Sequence, residues 1–243
     1  MFRFVFLNLF ISLHTLVFGT YGVLLALLGG SARFVHFYCA VPWAKAILKV
    51  CGVKVVLNGS ENIQEKVPNI YMANHCSYFD IFALLSALPV DFKFIVKQEL
   101  MEIPVFGHAM KRAGYIGIER EEPRKALKSM HEAAKKIKDG ASVLIFPEGT
   151  RSDDGRLQPF KSGGFHLALK SGCDIVPITI KGSHRIVPKG SRKIRKGVIH
   201  LIVGQAIPLG GQSRKNLSQV MNRVQEAMAV HLDHALTEDV EGG

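Results

Sequence analysis

The sequence lacks acidic residues at its start, since Glu61 is the first Asp or Glu in a chain of 243 residues. It has only four cysteines, and none forms a CxxC or CxxH pair, which excludes the usual zinc motifs and favours free thiols in a reducing compartment. No G-x-S-x-G motif occurs, so the nucleophile elbow of serine hydrolases is absent. Internal repeats and low-complexity linkers are also missing, which indicates one domain with an added anchor.

Positive charge is what the sequence has in excess. The 31 Lys and Arg against 20 Asp and Glu give a formal net charge of +11, which indicates an anionic partner such as nucleic acid, a phosphorylated metabolite or an acidic lipid surface. The aromatic residues lie mainly in the apolar N-terminal third, away from the most basic stretch, and no nucleic-acid-binding motif is recognisable. We therefore expect a membrane and no nucleic acid as partner.

Residues 2–30 form a long apolar run. Its length is comparable to the ~20 residues needed to cross a bilayer, and we expect it either to span a membrane or to lie in its interface. A signal peptide is the alternative, because GSA at residues 30–32 resembles a cleavage site. The apolar core of a signal peptide is only about 7–15 residues long, however, so this run is too long for one.

The next stretch, residues 34–53, mixes Trp43 and Lys45 with aliphatic residues. This composition is typical of a helix at the level of the lipid headgroups, although a plain core helix has a similar pattern. We therefore predict membrane-anchoring helices in residues 1–52 and an α/β domain in residues 53–243.

Short apolar, β-branched runs then alternate with helical segments. Helices are predicted over residues 123–138, where apolar residues recur at helical spacing before an Asp-Gly stop, and over about 213–236. This alternation predicts an α/β fold with a mixed, largely parallel sheet flanked by helices. The predicted strands are residues 54–57, 69–73, 92–96, 115–118, 142–146, 175–180 and 198–203.

The polar motif ANHCSYFD, residues 73–80, directly follows a predicted strand. A histidine base needs a group that holds its tautomer and stabilises the imidazolium, and a carboxylate is the usual partner. Asp80 meets that need only if His75 precedes the helix, because the same spacing inside a helix separates the side chains. Ser77 is a good N-cap and predicts such a start; alternatively, Ser77 and Asp80 form only a capping box. A Cys76 nucleophile is disfavoured because adjacent side chains seldom face each other.

Further polar clusters follow other predicted strands, at the edge where open α/β sheets usually bind ligands. Lys97 and Arg120 each come after an apolar run. FPEGTRS, residues 146–152, follows another, and its turn N–H groups and Arg151 guanidinium suit a phosphate. The alternative is a surface ion pair between Glu148 and Arg151.

The blocks ANHCSYFD, GYIGIER, FPEGTRS and IVPI resemble, in that order, the four blocks of the glycerophospholipid acyltransferase family. The resemblance covers about residues 70–180 and is greatest to the short bacterial 1-acylglycerol-3-phosphate O-acyltransferases. It implies transfer of a fatty acyl group to the sn-2 hydroxyl of lysophosphatidate, which gives phosphatidate. The implied co-substrate is acyl-CoA or acyl-acyl carrier protein.

By the same resemblance, His75 is the general base and Asp80 orients it. The donor that stabilises the oxyanion is left open between Lys97 and a backbone N–H near the first block. No cofactor and no metal are expected, because the candidate acids are dispersed and the mechanism needs no ion. The substrate-binding residues expected from the motifs and the resemblance are Lys97, Arg120, Glu148, Gly149, Thr150 and Arg151.

Residues 181–197 contain seven Lys and Arg and no acid, and we expect them to contact anionic lipid headgroups or an acidic acyl carrier protein. Because both substrates are amphiphilic, the expected location is a membrane, on its cytoplasmic face. Two alternatives stay open. One is a member of the same family that acts on another lysolipid or on glycerol 3-phosphate, and the other is a lipid or thioester hydrolase.

Overall fold

A seven-stranded sheet forms the centre of the protein, and the computed structural model describes residues 1–119 and 123–233. All seven predicted strands are present, and their observed ends differ from the predicted ones by at most one residue. The strands are β1 (Val53–Asn58), β2 (Ile70–Ala73), β3 (Phe92–Lys97), β4 (Ile116–Ile118), β5 (Ser142–Ile145), β6 (Ile175–Lys181) and β7 (Gly197–Val203).

Helices precede the sheet and connect its strands. They are α1 (Phe2–Leu27), α2 (Ala32–Val35), α3 (Val41–Cys51), α4 (Phe79–Ala87), α5 (Phe106–Arg112), α6 (Pro123–Lys138), α7 (Ser162–Ser171), α8 (Ser183–Ile186) and α9 (Leu217–Asp233). The prediction for α6 is confirmed. The start of α9 is wrong by one turn, because a 3-10 turn at Arg214–Asn216 precedes it; its expected last residues, 234–236, lie outside the described residues.

The strand order is β1-β7-β6-β2-β5-β3-β4. Every adjacent pair is parallel except β6 and β7, which are antiparallel. The expected mixed, largely parallel sheet is therefore confirmed. This order places β2 between β5 and β6, so that the chain leaving β2 lies beside the chain leaving β5.

Each face of the sheet carries its own hydrophobic core. Side chains alternate along β2, so Ile70 and Met72 face a cluster with α6, α7 and α9, whereas Tyr71 and Ala73 face a cluster with α3 and α4. Burial of one large side chain contributes about 1.5–3 kcal/mol, and both clusters contain many. The core-helix interpretation of α3 holds for one of its faces, because Ile47 is fully buried there.

The first helix, α1, is apolar on its outer face. By length and composition, α1 and the helical segment Ala32–Cys51 are each long and apolar enough to cross a membrane. The inner face combines small and polar residues with large apolar ones such as Leu7, Ile11 and Phe18. It packs closely, since a Cβ on Gly22 would lie 3.0 Å from the Cys39 sulfur. The small and polar residues on the inner side are Asn8, Ser12, Thr15, Gly19 and Gly22, and the exposed apolar residues include Phe2, Phe6, Leu9, Leu13, Val17, Leu24 and Leu27.

Polar contacts join α1 to distant parts of the chain. The Arg3 guanidinium donates to the carbonyl of Ile194 at 2.6 Å and to that of Cys51 at 3.2 Å. The Asn8 amide donates to the Arg192 carbonyl at 3.2 Å. The start of α1 is thereby held against α3 and against the basic stretch of residues 181–197.

Candidate active site

The loop after β2 is fixed by Asn74, a fully buried residue that sequence reasoning missed. Its side-chain oxygen accepts from the Ile180 N–H at 2.6 Å, and its amide donates to the Ile180 carbonyl at 3.0 Å. The side chain thereby continues the pairing of β2 with β6 past the end of the strand. The next residue, His75, consequently leaves the sheet at a fixed position.

His75 and Asp80 are hydrogen-bonded, as expected from their spacing. Nδ1 of His75 donates to Oδ2 of Asp80 at 2.8 Å, and the same oxygen accepts the N–H groups of Cys76 at 2.7 Å and Ser77 at 2.9 Å. The helix α4 begins at Phe79, after the expected start at Ser77, whose hydroxyl accepts from the Phe79 N–H. Capping and ring orientation are therefore not alternatives, because Asp80 performs both.

The His75 ring packs face to face on Phe146, with centroids 3.9 Å apart. Asp80 is fully buried, while 15% of the His75 side chain remains exposed to the cleft described below. Since Nδ1 carries the proton shared with Asp80, Nε2 is the nitrogen left to accept a proton from a substrate. The fixed ring, buried carboxylate and accessible Nε2 form the arrangement that a general base requires.

Glu148 holds the His75 backbone rather than lining the cleft. Its carboxylate accepts the His75 N–H at 2.9 Å and the Gln158 N–H at 3.2 Å, while the Ser152 N–H donates to the His75 carbonyl at 2.7 Å. Burial raises the pKa of Glu148 to about 7, although both N–H donors act to lower it. The geometry assigns no substrate contact to Glu148 and, among the described residues, no ion pair with Arg151.

Arg151, by contrast, lines the cleft, and its role as a phosphate ligand stays a prediction. Its guanidinium lies over the Tyr78 ring, 3.7 Å from the centroid, and its Nη1 is shielded from solvent without a hydrogen-bond partner among the described residues. Gly149 and Thr150 line the same wall. Glycine is required at 149, because its φ is +71° and a Cβ there would lie 2.9 Å from the Lys161 side chain.

Of the remaining expected residues, Lys97 lines the cleft and forms an ion pair with Glu99 at 2.5 Å. Arg120 lies outside the described residues. The N–H groups of His75, Cys76 and Ser77 all donate to carboxylates, so the expected oxyanion donor is not found at these three. Of the oxyanion donors expected from the sequence, Lys97 lines the cleft.

Cys76 does not provide a competing nucleophile. Burial and the nearby Asp80 carboxylate raise the pKa of its thiol well above the ordinary range, so the reactive thiolate is suppressed. The cysteines are free, as predicted. Within the described ranges, no group of three or more His, Cys, Asp or Glu could hold a metal ion.

The cleft has a volume of about 880 Å³ and is largely apolar. One wall is α1, whose lining residues run from Asn8 to Gly19 and therefore cover about 16 Å of helix. The end near Asn8 is polar and includes Ser191 and Arg192, whereas the end near Gly19 is lined by residues of α5, among them Met110. Sequence reasoning missed this wall, although the spacing of the small and polar residues in α1 was the available signal.

The fold and the pairing of His75 with Asp80 define an α/β protein with a histidine–aspartate site, and the acyltransferase family model matches residues 54–181. The chain belongs to that family. It is 32% identical to the 1-acyl-sn-glycerol-3-phosphate acyltransferase of Pseudomonas aeruginosa, over 93% of this chain and 90% of that protein.

Similarity extends to plant proteins and to a solved structure. The chloroplastic 1-acyl-sn-glycerol-3-phosphate acyltransferase BAT2 of Brassica napus is 38% identical over 81% of this chain, but the chain spans only 57% of that relative. The crystal structure of the 1-acyl-sn-glycerophosphate acyltransferase PlsC from Thermotoga maritima has a TM-score of 0.83 at 24% identity, over 98% of this chain and 96% of that one. This likeness shows that the fold is shared.

Proposed function

We propose that this protein transfers a fatty acyl group from a thioester to the sn-2 hydroxyl of lysophosphatidate and so produces phosphatidate. The observation that carries the proposal is the His75–Asp80 pair in an apolar cleft that Arg151 also lines. The relatives named as 1-acyl-sn-glycerol-3-phosphate acyltransferases support the same acceptor.

The chemistry follows from the position of His75. Nε2 removes the hydroxyl proton as the oxygen attacks the thioester carbonyl, and Asp80 stabilises the imidazolium that forms. The tetrahedral intermediate then collapses, the C–S bond breaks, and the imidazolium returns its proton to the leaving thiolate. A hydrogen bond or positive charge must stabilise the oxyanion, and the Lys97 ammonium is our candidate. No covalent acyl-enzyme is needed.

Arg151 is proposed to bind the acceptor phosphate. In lysophosphatidate the sn-2 hydroxyl and the phosphate occupy adjacent carbons of glycerol, so the phosphate must bind close to the base. Arg151, Gly149 and Thr150 line the same cleft as His75, and a guanidinium fixed on an aromatic ring is well oriented for a phosphate. The apolar end near Gly19 suits the fatty acyl chain.

The membrane position is proposed to be interfacial and cytoplasmic. The inner face of α1 forms a wall of the cleft, and the start of the helix is bonded to Ile194 and Cys51, so α1 lies along the domain instead of projecting from it. Its exposed Phe, Leu and Val side chains are then free to enter the headgroup region of one leaflet. Both amphiphilic substrates would be reached from that surface.

The test is an acyl-transfer assay with protein purified in detergent. Labelled palmitoyl thioester is offered with lysophosphatidate, glycerol 3-phosphate, lysophosphatidylethanolamine or water alone. We expect label in phosphatidate and a loss of about 10²–10⁴-fold on His75→Ala. His200→Ala, which removes an exposed histidine from β7 outside the cleft, is the matched control and should retain activity.

Other products would identify other functions. Label in a different lipid would keep the acyl-transfer chemistry and change the acceptor. Free fatty acid formed with water alone, at the rate seen with lysophosphatidate, would make the protein a hydrolase. Undiminished activity of His75→Ala would refute the mechanism.

A further inference from the structure

A second arginine lines the cleft besides Arg151, and the motifs do not include it. Arg192 belongs to the connection between α8 and β7 and is exposed. Its carbonyl accepts from the Asn8 amide, which places it at the polar end of the cleft. Its guanidinium forms no hydrogen bond or ion pair with any part of the chain that the structure describes.

The position of Arg192 is determined by its neighbours. The Ile194 carbonyl is bonded to Arg3, and Ile194 itself is buried and lines the cleft. Between the two, Lys193 is exposed but does not line the cleft. The segment thus points one cation toward the cleft and the next away from it, which distinguishes Arg192 from the rest of the basic stretch.

The proposed reaction requires two phosphate-bearing substrates, which differ in the distance between the phosphate and the reacting group. The acceptor carries its phosphate beside the reacting hydroxyl, which suits Arg151. The thioester of an acyl donor is separated from its nearest phosphate by the whole pantetheine arm. With the thioester carbonyl at His75 and the acyl chain toward Gly19, the arm runs toward Asn8 and its phosphate reaches the polar end.

We propose that Arg192 binds the phosphate at the end of the pantetheine arm of the acyl donor. This phosphate is common to coenzyme A and to acyl carrier protein, so the proposal holds for either source. It rests on the proposed function, and it assigns separate arginines to the two substrates: Arg151 to the acceptor and Arg192 to the donor. An exposed guanidinium and a phosphate attract each other most strongly at low salt.

The experiment measures Arg192→Gln in nonionic micelles with three palmitoyl donors: coenzyme A thioester, acyl carrier protein thioester and the phosphate-free N-acetylcysteamine thioester. We expect the KM for the phosphate-bearing donors to rise about fivefold, the effect of one exposed charge pair. The KM for the phosphate-free donor and for lysophosphatidate should not change. Arg192→Lys should restore part of the loss, and Lys193→Gln is the matched control.

Each outcome has a definite meaning. If the parent protein uses only one of the phosphate-bearing donors, a rise in the KM for that donor supports the proposal and identifies the source. If the parent uses both, a rise with one alone overturns the proposal, because both carry this phosphate. An equal rise with the phosphate-free donor, a rise in the KM for lysophosphatidate, or the same rise in Lys193→Gln overturns it. The assay is repeated on anionic vesicles in place of nonionic micelles. A rise in the KM that is seen only on the vesicles overturns the proposal in favour of a lipid contact. If the parent protein makes no phosphatidate from any donor, the proposed function fails. If the parent is active and Arg192→Gln has the same KM values as the parent, this inference fails and the proposed function stands.

Discussion

Two carboxylates hold the loop of His75 from different sides. Asp80 binds the ring nitrogen and the next two N–H groups, and Glu148 binds the His75 N–H. A base is effective only when its nitrogen is held in line with the proton that it removes. Glu148 is therefore a positioning residue in this geometry, one bond removed from the chemistry.

The variant Glu148→Gln tests this positioning role. An amide has one acceptor oxygen, and its NH₂ group would face one of the two N–H donors, so one of the contacts is lost. We expect kcat to fall about tenfold, as for the loss of one hydrogen bond to a charged group, with little change in the KM for lysophosphatidate. A raised KM with kcat intact would instead make Glu148 a substrate ligand, as the family resemblance implied.

The same variant has a second readout, the pH dependence of stability. Burial raises the pKa of Glu148 from 4.5 to about 7, so its favourable contribution is complete below pH 4.5 and is lost as the pH rises through 7. Wild-type protein should lose up to about 3 kcal/mol of unfolding free energy across this window relative to Glu148→Gln, which does not titrate. The check is the unfolding free energy of both proteins from denaturation at about pH 5 and about pH 8. An equal change between the two pH values in wild type and in Glu148→Gln would contradict the assignment.

Individual site residues were predictable to the extent that their contacts are local. His75 and Asp80 are five positions apart, and a helix start at Ser77 between them predicted that their side chains could meet. Asn74 and Glu148 could not be assigned, because their partners are Ile180, 106 residues away, and His75, 73 residues away. Sequence spacing has no information about such distant contacts.

At the scale of the element, the strands were predictable because each is an apolar run bounded by polar or turn residues. The orientation of α1 was not, since nearly every residue of the helix is apolar and a simple hydrophobic count shows no face. Large apolar residues lie on both sides of the helix: Leu7, Ile11 and Phe18 face the domain beside the small and polar residues, and other large apolar side chains are exposed. A helix on the surface of a soluble protein usually exposes a polar face instead.

The outward face of α1 provides a test of membrane binding. The triple variant Leu9→Gln, Leu13→Gln, Val17→Gln changes exposed side chains outside the cleft. We expect the vesicle-bound fraction in cosedimentation to fall at least about tenfold, because each buried aliphatic side chain contributes about 1.5–3 kcal/mol, while activity in micelles persists. Val230→Gln, an exposed site on α9, is the control; unchanged vesicle binding of the triple variant would refute the interfacial position.

The whole molecule depends on the order of the strands. Because β5 and β6 flank β2, the FPEGTRS turn, the His75 loop and the basic stretch meet at one place despite their distance in sequence. This order and the antiparallel β7 were not predictable, since alternation of elements fixes the fold class but not which strands pair. The boundary between residues 52 and 53 stays a prediction, and the contacts of Arg3 and Asn8 cross it.

Arg3 links the N-terminal helix to the rest of the molecule. Arg3→Ala removes its bonds to the carbonyls of Ile194 and Cys51. We expect the free energy of unfolding to fall by about 1–2 kcal/mol and the melting temperature to fall by several degrees. Amide hydrogen exchange in residues 192–196 should become faster. Lys54→Ala removes an exposed charge nearby in the fold and is the control. Melting and exchange equal to wild type would show that α1 is held by packing alone.

The distance between Arg3 and its partner also has a consequence for the order of synthesis. Ile194 follows Arg3 by 191 residues. In the same way, β1 pairs with β7, Val53 with Gly197, so β1 cannot pair until β7 has been synthesised. At a translation rate of about 5–20 residues per second, α1 leaves the ribosome roughly 10–40 s before the chain that covers its inner face. During that interval the inner face of α1 has no protein partner, and we expect the nascent chain to reach a lipid surface before the cleft has formed.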